Sequence, residues 1–450
     1  MIPFAFTLIP FIAFGYVLIV AAWSGNVFGN PEPIVKQLQQ VTAPNILNRL
    51  FWPVLLAITL LLAFQYRSRL KWTGIRSAPV ISLAAYLIFA GLSVTWAYNP
   101  EQSLLRYMQT LIVVLIIIVP YSLQTPKIDT VNYLYICYAI SIALNAVVVL
   151  GEVPTLTASG ALFGYHGYFS IKNYLGECAS IAILLALFSL RTPGWRRFAA
   201  IAVIGTSAWL ISASNSKGSL AFLVFSPVLA ALVLVVSRSA KTSLGVILAF
   251  FPLAYFLASL VFSDLFSRIS FFIYGDSTLT GRTFIWDFIQ YETSKNPWFG
   301  WGFHSFWLLG PNAPSVVEAP QWVKNLTGSH NGYLDIRLET GYVGLTIFIG
   351  FIIATLHAIE RVRRQDAFRA WFLLSLALYV IITNLLETTF LFNDPTWLLF
   401  LFIVAETTRY PAHERRRVVV HAKRNQVDQK RAGTGSRFSP RAPTIPLRNR

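Results

Sequence analysis

Apolar runs long enough to cross a hydrocarbon core of about 30 Å recur from end to end of this chain, and nothing else constrains its fold so strongly. Inside lipid a backbone N–H or C=O finds no water, so such a segment folds as a helix whose hydrogen bonds close within itself. Twelve spans are expected, at roughly 4–23, 49–66, 78–97, 104–121, 131–150, 174–190, 198–213, 219–236, 243–263, 332–356, 371–388 and 395–408. Only 12% of the residues are charged, about half of the ~25% usual in soluble chains, which argues against a soluble globular domain. The expected class is all-α: a polytopic integral membrane protein with about 12 transmembrane helices.

The loops test that count. With the N-terminus placed in the cytoplasm, 26 of the 36 lysines and arginines fall in the connections 67–77, 191–197, 237–242 and 357–370, at Lys127, or after Thr408. This obeys the positive-inside rule without a reversal, so both termini are expected on the cytoplasmic side. The net charge of +17 is thereby explained without a nucleic-acid partner. The first apolar run lacks a basic n-region and a small-x-small cleavage site, and reads as a retained span. Cys137 and Cys178 both lie in apolar runs and form no CxxC pair, so neither a disulfide framework nor a redox motif is expected.

Four regions follow from this layout. Residues 1–263 carry the first nine helices, 264–331 form one long periplasmic loop with short helices, 332–408 carry the last three, and 409–450 form a basic, disordered cytoplasmic tail suited to anionic headgroups. A connection as long as 264–331 is usually functional or disordered, and its density of Trp, Phe and Tyr argues against disorder.

Ten basic residues remain on the outer side against the usual bias, among them Arg106, Lys172, Lys217, Arg282 and Arg337. In "TGRTFIWDF" (280–288) Gly281 predicts a turn that places Arg282 at a helix start. In "SHNGYLDIRLETGYVGL" (329–345) a helix starting near His330 carries Leu334, Arg337 and Gly341 on one face, with Asp335 and Glu339 on another stripe. Gly341 and Gly344 are expected to let a neighbouring helix approach closely. A headgroup partner for Arg282 and a simple helix cap at His330 are the competing structural readings.

Outside the cytoplasmic membrane there is no nucleotide sugar, so a transferase there needs a donor activated through lipid. Polyprenyl-diphosphate glycans are such donors. Arg and Lys can bind the diphosphate and stabilise charge developing on it, and an imidazole can take the proton of an acceptor hydroxyl. The sequence has no Gly-rich phosphate loop, metal-ligand motif or nucleophile elbow, so no cofactor is expected and metal-independent glycosyl transfer is a coherent chemistry. A flippase of the lipid-linked oligosaccharide would want a similar cationic cavity but no base.

The strings "FSIKNYLG" (169–176), "SNSKGS" (214–219), "TGRTFIWDF", "NPWFGWGFHSFW" (296–307) and "SHNGYLDIRLETGYVGL", in that order around one outer loop, resemble the O-antigen ligase and Wzy polymerase superfamily. Within it, the chain is most similar to ExoQ-type exopolysaccharide polymerization proteins. The resemblance implies a GT-C-like helical architecture in the bacterial inner membrane with the site at its outer face. It implies His330 as the base and Arg282 as a diphosphate contact, joined by Lys217, Lys172 and Arg106. From the residues themselves, Asn331 is a supporting hydrogen-bonding candidate, and Arg337 is either a second diphosphate contact or, the favoured reading, the partner of a nearby carboxylate. Lysine at 217, where ligases often carry Arg, gives charge without the planar fork. The implied reaction is polymerization of polyprenyl-diphosphate-linked oligosaccharide repeats. The alternative is ligation of the glycan to a lipid A core, and chain-length and export proteins are possible partners.

Overall fold

The computed structural model describes residues 2–22, 46–69, 74, 76–121, 129–151, 164–240, 242–247, 268, 271–272, 281–310 and 312–410, and the regular structure among them is helical. In chain order the helices are α1 (Ile2–Gly15, continued by a wider turn over Tyr16–Ala21), α2 (Ile46–Gln65), α3 (Ala78–Ser93), α4 (Pro100–Tyr121) and α5 (Thr130–Leu150). Then come α6 (Lys172–Ser189), α7 (Trp195–Ser214), α8 (Lys217–Ala240), α9 (Arg282–Lys295) and the single turn α10 (Pro314–Val317). The series ends with α11 (Gly332–Arg363), α12 (Ala367–Thr383) and α13 (Pro395–Thr408).

Eleven of the twelve expected spans coincide with one of these helices. The ninth, beyond residue 247, lies outside the described residues, as do the tail beyond Tyr410 and most of 248–280. Among the described residues, eight helices are long and apolar enough to cross a membrane, and α12 and α13 are shorter apolar helices. The chain is an all-α, multi-pass membrane protein.

Local chemistry sets several of the helix starts. Asp366 and Asp394 accept from the first-turn N–H groups of Arg369 and Thr396 at 2.9 and 2.7 Å, satisfying donors that a helix leaves open at its N-terminus. Pro395 follows Asp394 at the first helical position, where its missing N–H costs nothing. Residues Thr396 to Thr408 of α13 are all buried, so this helix, apolar on every side, occupies the middle of the bundle. Trp397 and Phe400 join Phe348, Phe351 and Phe390 in an aromatic cluster around it. Leu50, Val54, Leu61 and Phe64 of α2, and Val224, Phe225, Val228 and Leu232 of α8, are exposed and form the lipid-facing surface.

The connections gather into two sets. On one side Tyr98 N–H bonds the Trp301 carbonyl at 3.0 Å, Tyr165 N–H the Ala213 carbonyl at 2.9 Å and Gly332 N–H the Asn384 carbonyl at 2.9 Å. On the other, Arg369 meets Glu406 at 2.7 Å and Arg409 donates to Thr130 at 2.9 Å. Each of these contacts joins two connections or span ends that the loop-charge alternation assigns to the same side.

The long loop, from Gly281 onward, is folded. Ile285, Phe288, Ile289, Phe306, Trp307, Val323 and Leu338 make a small core of their own, which clamps α9 and the 296–308 segment onto the start of α11. There the expectation for Gly341 needs correcting. Gly341 has φ +65° and ψ −170°, a break inside α11 in a region essentially reserved for glycine. The break exposes backbone groups that the 297–302 turn takes up. Trp301 and Gly302 donate to the Leu338 and Glu339 carbonyls at 3.0 and 2.8 Å, and Tyr342 and Val343 donate to Pro297 and Trp298 at 2.9 and 3.2 Å. A Cβ at Gly341 would strike the Trp298 carbonyl, so the glycine admits a loop and not a helix, whereas Gly344 does lie against Phe89 of α3.

Candidate active site

Three cationic side chains meet at the loop-covered end of the bundle. Lys172, Lys217 and Arg282 line one cavity of about 280 Å³, together with Asn173, Glu177 and Glu387. Each is the first residue of its helix: Lys172 of α6, Lys217 of α8 and Arg282 of α9. The N-terminus of a helix carries partial positive charge, so a cation there is disfavoured by about 0.3–1 kcal/mol. Three such placements cost stability, and they set three cations at helix N-termini around one cavity, an arrangement chemically suited to an anion. Close packing of α6 and α8 makes the approach possible: at Gly176 a Cβ would lie 2.7 Å from Ser216 Cβ and Ser219 Oγ. Gly281, at φ +87°, makes the expected turn before Arg282. Lys172 and Lys217 have no carboxylate within ion-pair distance among the described residues.

Glu387, between α12 and α13, ties this cavity to His330. It accepts from Arg282 Nη2 at 2.7 Å and from Asn173 Nδ2 at 2.8 Å, and it meets His330 Nδ1 at 3.1 Å. The Arg282 and Glu387 side chains are only 12% and 11% exposed, against 37% for His330. Burial works against the Glu387 charge, but the His330 hydrogen bond and the Arg282 charge outweigh it and hold the carboxyl below the usual carboxylate range. A carboxylate on Nδ1 fixes the ring so that Nε2 is the nitrogen left to accept a proton.

The backbone at His330 has φ +54°, a conformation that costs a non-glycine residue about 1–3 kcal/mol and needs its surroundings to hold it. Asp335 does the holding. It accepts from Ser329 N–H at 3.0 Å, from Trp307 Nε1 at 2.9 Å and from Thr388 Oγ1 at 2.6 Å. One buried carboxylate thereby joins the turn before His330, the outer subdomain and the residue after Glu387.

A second cavity, about 620 Å³, lies beside the first. Glu177 and Glu387 line both. His330 lines only the second, with Phe169, Ser170, Tyr174, Phe392, Asn393 and Asp394 among its neighbours.

Not every sequence candidate arrives here. Arg106 lines neither cavity: its Nη1 donates to the His304 carbonyl at 2.7 Å, bracing α4 to the outer loop. Arg337 is also outside both, since the φ +54° turn directs His330 away from the face of α11. Its Nη2 donates to the Gln290 amide at 2.7 Å, so its partner is neither a diphosphate contact nor the carboxylate expected. Asn331 is spent as the cap of α11, accepting from Tyr333 and Leu334 N–H at 3.1 Å and donating to the Leu385 carbonyl at 3.2 Å. Sequence reasoning missed Glu387 and Asp335 as members of the site. An acidic residue at the outer end of an apolar span was the available signal for Glu387, because ionisable groups at membrane depth are functional by default.

Residues 200–349 match the Wzy_C family model, described as O-antigen ligase; the match includes Lys217, Arg282 and His330. The chain is 26% identical over 299 residues to the exopolysaccharide production protein ExoQ of Rhizobium meliloti (strain 1021), covering 62% of this chain and 64% of that protein. It is 26% identical over 203 residues to a candidate polysaccharide ligase of Rickettsia felis, covering 43% and 48%. The matches span less than two thirds of either relative's length. Between residues 200 and 349, this chain is therefore similar to the O-antigen ligase domain that the Wzy_C family model describes.

Proposed function

We propose that this protein is a glycosyltransferase of the bacterial inner membrane, with both termini cytoplasmic, which acts at the periplasmic face on a polyprenyl-diphosphate-linked oligosaccharide. The observation that carries this is the grouping of Lys172, Lys217 and Arg282 around one cavity, coupled through Glu387 to His330. In the reaction, the acceptor hydroxyl gives its proton to His330 Nε2 while its oxygen bonds the anomeric carbon. The bond from that carbon to the diphosphate breaks, and the polyprenyl diphosphate leaves with the electron pair. The two lysines and Arg282 stabilise the negative charge that grows on the leaving group, an effect strongest in a site that excludes water. A single displacement of this kind inverts the anomeric centre.

Between the two reactions open to such a site, we favour polymerization of lipid-linked repeats for exopolysaccharide synthesis. The similarity to ExoQ over 62% of the chain supports that choice, and ligation to a lipid A core is the competing outcome. The test uses purified full-length protein with lipid-linked repeat from membranes of the source strain lacking this gene. Longer chains without lipid A core are the expected product, and their appearance only when lipid A core is added would refute polymerization. His330→Ala is expected to abolish transfer. If that variant moves lipid-linked repeat across vesicle membranes as well as the wild type, and neither protein transfers glycan, the protein is a flippase.

A further inference from the structure

The two cavities divide the reactive groups between them. Lys172, Lys217 and Arg282 line the first and not the second, whereas His330 lines the second and not the first. Glu387 and Glu177 line both and so stand in the wall between them. With Nδ1 engaged by Glu387 at 3.1 Å, the nitrogen left to act as base is Nε2, on a residue that lines the second cavity. We infer that the second cavity is the acceptor subsite, and that it binds the sugar whose hydroxyl attacks while the diphosphate occupies the first. This assignment rests on the transferase reading and adds to it where each substrate sits.

The lining supports a sugar and opposes an anion. No Lys or Arg lines the second cavity among the described residues, while the carboxylates Glu177, Glu387 and Asp394 do. Without a cation in the lining a diphosphate finds no countercharge there, whereas carboxyl groups accept hydrogen bonds from sugar hydroxyls. Phe169, Tyr174 and Phe392 offer ring faces, against which the C–H face of a sugar packs. The Ser170 hydroxyl, the Asn393 amide and the Tyr174 hydroxyl have no hydrogen-bond partner among the described residues, so they can bond a ligand without breaking an existing contact. A volume of about 620 Å³ lies inside the range of ~300–1,000 Å³ usual for small-ligand clefts.

The experiment separates donor from acceptor. Lipid-linked repeat serves as donor, and the same oligosaccharide released from its lipid by mild acid serves as acceptor, so that the lipid-free product is identified by its mass. Asn393→Ala and Tyr174→Phe each remove one neutral hydrogen bond and should raise the acceptor KM roughly three- to tenfold while leaving the donor KM in place. Lys217→Ala should do the reverse. An unchanged donor KM also shows that the variants are folded. A rise in donor KM with the acceptor KM unmoved, a parallel rise in both, or no change in either would overturn the assignment. Lipid A core oligosaccharide, run in parallel, decides which glycan the cavity takes. If the wild type transfers to neither acceptor, the transferase reading fails and takes the subsite with it.

Discussion

Replacing Glu387 by Gln tests the connection between the two halves of the site. The carboxylate serves Arg282 at 2.7 Å and His330 at 3.1 Å through different oxygens. An amide has one oxygen, so at least one donor loses its acceptor and faces an NH₂ group instead. A hydrogen bond to a charged group contributes about 1.5–3 kcal/mol, and ~1.36 kcal/mol is tenfold in rate. Loss of the His330 contact alone therefore lowers kcat about 10- to 150-fold. The donor KM should not rise, because Arg282 is freed from its countercharge and attracts the diphosphate at least as well. A general collapse of the site would raise it. Steady-state kinetics with lipid-linked repeat gives both numbers. A variant that keeps more than about a third of wild-type kcat, or a kcat loss matched by a proportionate rise in donor KM, would refute the reasoning.

Other outcomes follow from the same geometry. The Glu387 carboxyl is held below its ordinary range, so it ionises more readily folded than unfolded. Its contribution to stability is complete above about pH 4.3 and is lost as the pH falls through the lower folded value; melting curves in detergent should show this acid slope in the wild type and a shallower one in Glu387→Gln. Gly341→Ala should lower stability by at least about 1–3 kcal/mol, whereas Gly350→Ala, with open space around its Cβ, should be neutral or stabilising by about 0.5–1 kcal/mol; thermal shift of the two variants side by side checks the contrast. Lys217→Ala should weaken donor binding, and because Lys217 is exposed its advantage over the variant should shrink as salt is raised; donor KM at low and high ionic strength measures it.

Much of this protein is determined along the chain. Span positions follow from hydropathy, because lipid acts on each segment separately, and with them the placement of Lys172, Lys217, Arg282 and His330 in or beside the connections between spans. The turn at Gly281 was legible for the same local reason. Convergence was not, since it depends on how helices distant in sequence pack. Arg106 shares the expected side and the unusual charge of the others, yet it packs against the His304 carbonyl. Arg337 follows His330 with helical spacing, yet the left-handed turn at His330 sends the two to different places. Glu387 looked like one more residue in an apolar helix end until α12 and α13 brought it between Arg282 and His330. Sequence decided which groups lie outside the apolar spans, through a solvent effect that needs no partner. Tertiary packing alone decided which of them share a cavity, because contacts between side chains 57 to 214 residues apart are set by helix packing that no local pattern encodes.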